Sequence, residues 1–451
     1  MDIQLKEFDI KQRLFLLLAC VLPASIALIF IILYAYNIPF ADSWELVPLL
    51  KKLYAHENIS LGDLAAQHNE HRILFPTIIM LGLAYLSDWN AIYEIYFSFG
   101  LLCISFCIII IQVRRLYNVA ANSVSYFYVF IATCLLVSLI IFAITQYENM
   151  LWGWQIQIFL NTLAILLGML WLTNNETLNA KSIALAASCG IIATYSFANG
   201  ILFWPIGGLV LLIRRRQMHN SMYLLTTWTL VALLVGFLYM HNYVKPSGHP
   251  PLTYILHNPS AYLVFLLSYL GYPMAELRIA EHIPVALWGA AGLLSVLVIC
   301  YCLFKLKILW NRQIIFWHGL LVYTLLRGVI TAVGRAGFGI EKALASRYIT
   351  ICNFFWLWIF VLGIYVYAKQ YYFNIKKVYA VCAAMTLLFA YYTQAGFRGE
   401  PIRYKHLQQA QQSLMNDGTP VKNLYYIYPD SGIVLRRNAF LKKNNLSFYS
   451  K

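Results

Sequence analysis

Apolar runs recur along this chain from residue 14 to the 390s, broken by polar or basic segments. A helix rises about 1.5 Å per residue, so a run of roughly 17–25 residues crosses a hydrocarbon core of about 30 Å. The runs predict about 11 membrane-spanning helices, at 14–36, 90–113, 124–145, 156–173, 182–198, 199–213, 221–241, 283–304, 314–334, 348–368 and 378–396. The first is too long for a signal-peptide core, and its flank carries Glu7 and Asp9, so it reads as an uncleaved helix. The apolar stretches 73–86 and 260–273 are too short to cross and read as interfacial or re-entrant. Residues 182–213 are too long for one crossing and read as a tight hairpin over Phe197-Ala198-Asn199-Gly200.

The polar segments alternate in kind. One set is short and rich in Lys and Arg, with Asp2, Glu7, Asp9 and Glu176 as its only acids. Basic residues mark the cytoplasmic side, which puts the N-terminus inside. The other set holds Asp42-Ser43-Trp44-Glu45, His68-Asn69-Glu70-His71-Arg72, Gln146-Tyr147-Glu148-Asn149 and the stretch from Arg335 to Arg347. The expectation is an all-α polytopic membrane protein with a transmembrane domain over 1–396. Its long outer loops are 37–89 and 242–282, and a small outer tail covers 397–451. The tail reads as a short α/β cap. A helix starts at Pro401, residues 421–428 alternate like a strand, and residues 430–444 form a second helix carrying Arg436, Arg437, Lys442 and Lys443. Those cations either meet an anionic glycolipid or form a solvated face.

Composition agrees: 61% of residues are hydrophobic and 11% charged, against about 25% charged in soluble domains. The formal charge of +15 is accounted for by cytoplasmic Lys and Arg facing anionic headgroups, and no basic soluble domain is present to bind nucleic acid. The nine Cys all fall in predicted helices without a CxxC, so neither disulfides nor a thiolate metal site is expected. Nothing on the inner side resembles a P-loop, a nucleophile elbow or a dinucleotide fingerprint.

Candidate chemistry therefore concentrates in the outer set. Asp42 follows the first helix beside Trp44, where a carboxylate at the membrane surface suits a general base. It also suits a helix cap, with Glu45 completing a capping box. On a helix, His68 and His71 share a face and Arg72 joins His68, a clamp for phosphate or sugar, or else a polar interfacial turn. Glu70 falls on another face, which argues against a metal site. Glu148 and Asn149 with Trp152 and Trp154 combine a carboxylate, amides and indoles, as sugar recognition requires; an interfacial aromatic belt explains the indoles alone. Arg335 and Arg347 bracket a short loop and could hold a phosphate bidentately or snorkel to headgroups. Arg327 lies inside a spanning helix, where a carboxylate partner is expected, with Glu94 as one choice.

This pattern resembles the GT-C class of polytopic glycosyltransferases, which includes aminoarabinose and protein mannosyl transferases. The resemblance covers the first through about the tenth helix. It rests on Asp42 after the first helix, a long first outer loop with a His-rich end (His68 to Pro76), and outer-loop arginines. The runs Asn69-Glu70-His71-Arg72 and Ala345-Ser346-Arg347-Tyr348 are also similar to uncharacterised bacterial membrane proteins of that kind. The chain departs from the class in one respect: many members carry paired acids, whereas Ser43 follows Asp42.

The resemblance implies a polyprenyl-phosphate-linked sugar as donor, a glycan or glycolipid acceptor and no cofactor, with Asp42 as catalytic base. Arg347 and Arg335, with His71, Arg72 and His68, would bind the donor phosphate. Glu148, Glu70, Trp152, Trp154, Trp44 and Asn149 would contact sugar or acceptor. The implied location is a bacterial inner membrane, with N-terminus cytoplasmic and C-terminus periplasmic. Two other readings stay open: an O-antigen polymerase or ligase, which usually has a larger late outer loop, and a glycolipid or polysaccharide transporter, which usually shows internal repeats.

Overall fold

The computed structural model describes residues 10–117, 124–218, 220–246, 248, 250–251, 253–275, 282–369 and 374–450. Among these, nine helices are long and apolar enough to cross a membrane. Helix α1 (Ile10–Tyr34) shows why they suit lipid. It buries only a stripe of Ala19, Pro23, Ala27, Phe30 and Ile31, while Leu14, Leu18, Leu22, Ile29, Ile32 and Leu33 stay exposed. A helix apolar on both its packed and its open faces has hydrocarbon as its solvent.

The first outer loop contains α2 (Val47–Tyr54) and α3 (Leu74–Leu86), and α4 (Ala91–Tyr117) follows. Next come α5 (Val124–Ile141), α6 (Ile156–Thr173), α7 (Ala180–Thr194), α8 (Phe203–Ile213) and α9 (Ser221–Met240). Helices α10 (Pro259–Gly271), α11 (His282–Lys305), α12 (Arg312–Arg335) and α13 (Ile349–Ala368) complete the bundle before α14 (Ile375–Met415) and α15 (Ser431–Lys443). Helices α6 and α13 are buried on nearly every side and form the centre. Helix α9 buries only Leu224, Trp228, Val235 and Tyr239, which marks it as peripheral.

The short elements are as the run lengths imply. Helices α3 and α10 each have 13 residues, about 20 Å, short of a crossing. Helices α7 and α8 form the expected hairpin, but at 15 and 11 residues neither has the length of a crossing, so the described residues hold nine helices of spanning length where about 11 were expected. Gly200 is required in its turn, because a Cβ there would sit 2.0 Å from the Ala193 carbonyl oxygen. Small residues also let α10 and α11 touch: a Cβ on Gly271 or Gly289 would lie 2.0 Å from a carbonyl oxygen of the other helix. Such backbone approach drives helix association in lipid.

Helix α12 defines the two ends of the bundle. Arg312 at its start bonds Glu176 at 3.1 Å. Arg115 bonds Asn174, and buried Arg214 donates to the Asn175 and Glu176 carbonyls at 2.6 and 3.0 Å. At the far end, about 35 Å away by helix length, Arg335 bonds Glu70. The segregation of polar segments read from alternate loops is thus a tertiary fact: basic groups and Glu176 gather at one end, the candidate residues at the other.

The tail differs from expectation in two ways. Helix α14 runs unbroken for 41 residues with Pro401 inside it, so no helix starts there and no break separates bundle from tail near residue 397. The segment expected to be a strand is a 3-10 helix, Val421–Tyr426. A lone strand would leave its backbone groups unpaired. Three-residue spacing instead turns Leu424 and Ile427 together into a small core with Leu407, Leu414, Val434, Leu441 and Leu446. The last helix is as expected, with the Asp430 carboxylate accepting from the Ile433 N–H at 3.0 Å as its cap.

Candidate active site

Asp42 sits in a 3-10 helix, Ala41–Leu46. It caps nothing, and Glu45 makes no capping box: the N-cap is Phe40, without a side-chain bond. Glu45 turns instead to the tail, where Arg437 grips it through both guanidinium nitrogens at 2.7 and 2.8 Å. The Tyr428 hydroxyl also donates to it. Burial raises the Glu45 pKa, but these bonds outweigh it and hold the carboxyl below the usual glutamate range. The Ala41 N–H donates to the Ile427 carbonyl at 2.7 Å. The tail therefore fixes the segment that carries Asp42.

The histidine segment is a hairpin rather than a helix. Strand β1 (Gln67–His68) pairs antiparallel with β2 (His71–Arg72), His68 directly opposite His71. Asn69 turns it with φ 51°, a left-handed value that Asn tolerates. The two imidazoles still share a face, because opposite residues of a hairpin do. Gln67 pins the hairpin to the second outer loop through both its amide atoms and Val244, at 2.6 and 3.0 Å.

Around this hairpin the distant segments converge. His68 Nε2 lies 3.5 Å from Asp42 Oδ2, and His71 Nε2 lies 3.9 Å from Glu70 Oε2. Arg335 pairs with Glu70. Arg347 lies 3.8 Å from Glu148 and within electrostatic reach of Asp42. His71 stacks on Phe197 with centroids 4.1 Å apart, and its Nδ1 accepts from the Ala198 N–H at 3.3 Å. Burial pushes the His71 pKa down to about 4; Glu70 opposes this, and His68, Arg335 and Arg327 add to it. His71 is therefore neutral at pH 7, with its proton on Nε2, and serves as a hydrogen-bond donor rather than a cation.

Several expected site residues are placed elsewhere. The Arg72 guanidinium is turned to the backbone, donating to the carbonyls of Ala65, Tyr239 and His241 at 3.1, 2.9 and 2.7 Å. Trp44, Trp152 and Trp154 are core side chains, at most 8% exposed. They pack the loop instead of offering a ring face to a sugar: Trp152 Nε1 donates to Ser43 Oγ at 3.2 Å, and Trp154 meets the edge of His68. Asn149 is buried, and its amide holds the Arg347 carbonyl at 2.9 Å and Thr350 Oγ1 at 2.6 Å. Glu94 is not the partner of Arg327; it accepts from Trp89 Nε1 at 3.0 Å.

Three contributors were missed in the sequence. Phe197 carries His71 on its ring and has the Arg327 guanidinium 4.6 Å from its centroid. The expected turn at 197–200 already put it at this end, but nothing in the pattern distinguished it from a lipid-facing aromatic. Tyr428 had no signal beyond its position in a basic tail, and Arg437, expected there to meet a glycolipid or form a solvated face, pairs with Glu45 instead. Among the described residues, no group of three or more His, Cys, Asp or Glu side chains is set to hold a metal ion.

The helices and their exposed apolar faces make this a polytopic all-α membrane protein, with Asp42, Glu70, Glu148 and their basic partners gathered at one end of the bundle. Comparison with family models, with curated proteins and with solved structures finds no match to this chain.

Proposed function

We propose that the chain transfers a sugar from a polyprenyl-phosphate donor to a glycan or glycolipid acceptor, with inversion, at the periplasmic face of a bacterial inner membrane. One observation carries the reading. Asp42 and Arg347, far apart in sequence, lie within electrostatic reach, and their side chains stay open, at 37% and 45% exposure. A carboxylate and a cation close to one another and both open to solvent are what the chemistry needs. Asp42 takes the proton of the acceptor hydroxyl as its oxygen attacks the anomeric carbon. The bond from that carbon to the phosphate oxygen breaks, and its electron pair leaves with the polyprenyl phosphate. A phosphate leaving group needs charge stabilisation rather than protonation, which Arg347 and Arg335 supply. Glu70 and Glu148 hold these guanidinium groups in place, and His68 orients Asp42.

Native mass spectrometry of the protein extracted gently from its own membrane tests the donor. The expected result is a polyprenyl-phosphate adduct, with or without a hexose-sized addition, that disappears in Arg347→Ala. Ordinary phospholipids alone, unchanged by the substitution, would count against it. Asp42→Asn should retain the adduct and lower transfer by about 10²–10⁴-fold; near-normal transfer would remove Asp42 from the role of base.

A further inference from the structure

Arg327 is 2% exposed, eight residues before Arg335 and thus about 12 Å deeper along α12. Its guanidinium lies against Phe197, whose ring also carries His71. One side of the fork is bonded to Tyr323, whose hydroxyl donates in turn to Asn161 Oδ1 at 2.6 Å. Nη1 has no hydrogen-bond partner. The neighbouring Tyr269 is fully buried, with its hydroxyl on the Cys352 thiol and no nitrogen or oxygen partner; it lies within electrostatic reach of Arg327. No carboxylate among the described residues is paired with Arg327.

An arginine cannot shed its charge by losing a proton. Left uncompensated inside a membrane bundle it is strongly unfavourable, and the Phe197 face offsets only part of that cost. An unpaired cationic donor near a hydroxyl held only by a thiol favours an acceptor that carries negative charge. We infer that Arg327 Nη1 and Tyr269 Oη bind a phosphate-type oxyanion beneath the Phe197–His71 stack. The source of the anion is either free phosphate or the phosphate head of a lipid. This subsite does not depend on the transferase reading, since it involves neither Asp42 nor a sugar.

The test is thermal unfolding of the full chain in detergent, titrated with sodium phosphate, with decyl phosphate and with sodium chloride at matched ionic strength. Wild type should be stabilised by at least one of the phosphates and not by chloride. Arg327→Met should weaken the apparent affinity more than tenfold, as expected for loss of a charge-assisted bond. Tyr269→Phe, which keeps the ring and its packing, should weaken it by about three- to tenfold and guards against misfolding of the first variant. A response to inorganic phosphate identifies the free ion, and a response to decyl phosphate alone identifies a lipid head. Equal responses in wild type and Tyr269→Phe, equal stabilisation by chloride, or no response to either phosphate would overturn the assignment.

Discussion

Replacing Arg437 with Met is expected to loosen the segment that presents Asp42. The pair with Glu45 is bidentate, at 2.7 and 2.8 Å, and its side chains are only 16% and 26% exposed. An exposed ion pair contributes about 0–1 kcal/mol, while removing one partner of a buried pair costs about 3–5 kcal/mol. This pair lies between those limits, and Tyr428 still donates to Glu45 after the substitution, so the expected loss is about 2 kcal/mol. A double-mutant cycle with Glu45→Gln isolates the interaction from other effects of either change. Hydrogen exchange at Ala41 reports the consequence, because its N–H is bonded to the Ile427 carbonyl of the same tail. The pH dependence has a defined sign. The Glu45 pKa is depressed in the folded chain. The contribution is therefore complete above the unfolded value of about 4.3 and is lost as pH falls through the folded value. Arg437→Met should flatten that acid limb. A coupling energy below about 0.3 kcal/mol, with Ala41 exchange unchanged, would refute the claim that the tail positions the loop.

Two further outcomes follow from the geometry. The His71 pKa is lowered to about 4 in the folded chain, so protonation favours unfolding; its contribution is complete above about pH 6.5 and is lost as pH falls toward 4. Stability should drop by about 2 kcal/mol between pH 7 and pH 5 on this account. Melting curves at both pH values should show a smaller drop for His71→Gln, and an equal drop in both proteins would refute it. Gly289→Ala forces a Cβ to within 2.0 Å of the Leu267 carbonyl oxygen and should cost about 1–3 kcal/mol, whereas Gly236→Ala, with nothing within 4 Å of the added Cβ, should leave the melting temperature unchanged or slightly raised.

The spanning helices were legible because lipid imposes a one-dimensional rule. A run of apolar residues of sufficient length is helical whatever its neighbours are. Basic and acidic loops were legible for a similar reason, and the contacts of Arg312 and Arg335 at opposite ends of α12 agree with the alternation. Outside the bilayer that rule lapses. The stretch from His68 to Arg72 fits a helix and a hairpin equally well by residue type, and the hairpin it forms is held to Val244 through Gln67, a contact no local pattern encodes. The tail segment 421–428 alternates like a strand, yet it had no partner strand and packed Leu424 and Ile427 inward instead.

The same division separates the residues of the site. Composition and spacing alone established a helical membrane protein and showed that its acids, histidines and loop arginines belong to one set of segments. They also singled out Asp42, Glu70, His71, Glu148, Arg335 and Arg347 as members of that set. Only the tertiary structure decided which of these face one another, that the Arg72 guanidinium is taken up by backbone carbonyls, that Asn149 is buried against Arg347 and Thr350, and that Arg327 meets Phe197 rather than Glu94. The reason is physical. Hydrophobicity acts on each segment separately and can be summed along the chain, whereas a hydrogen bond or ion pair depends on two groups meeting at about 3 Å, and that distance is set by how all the helices pack.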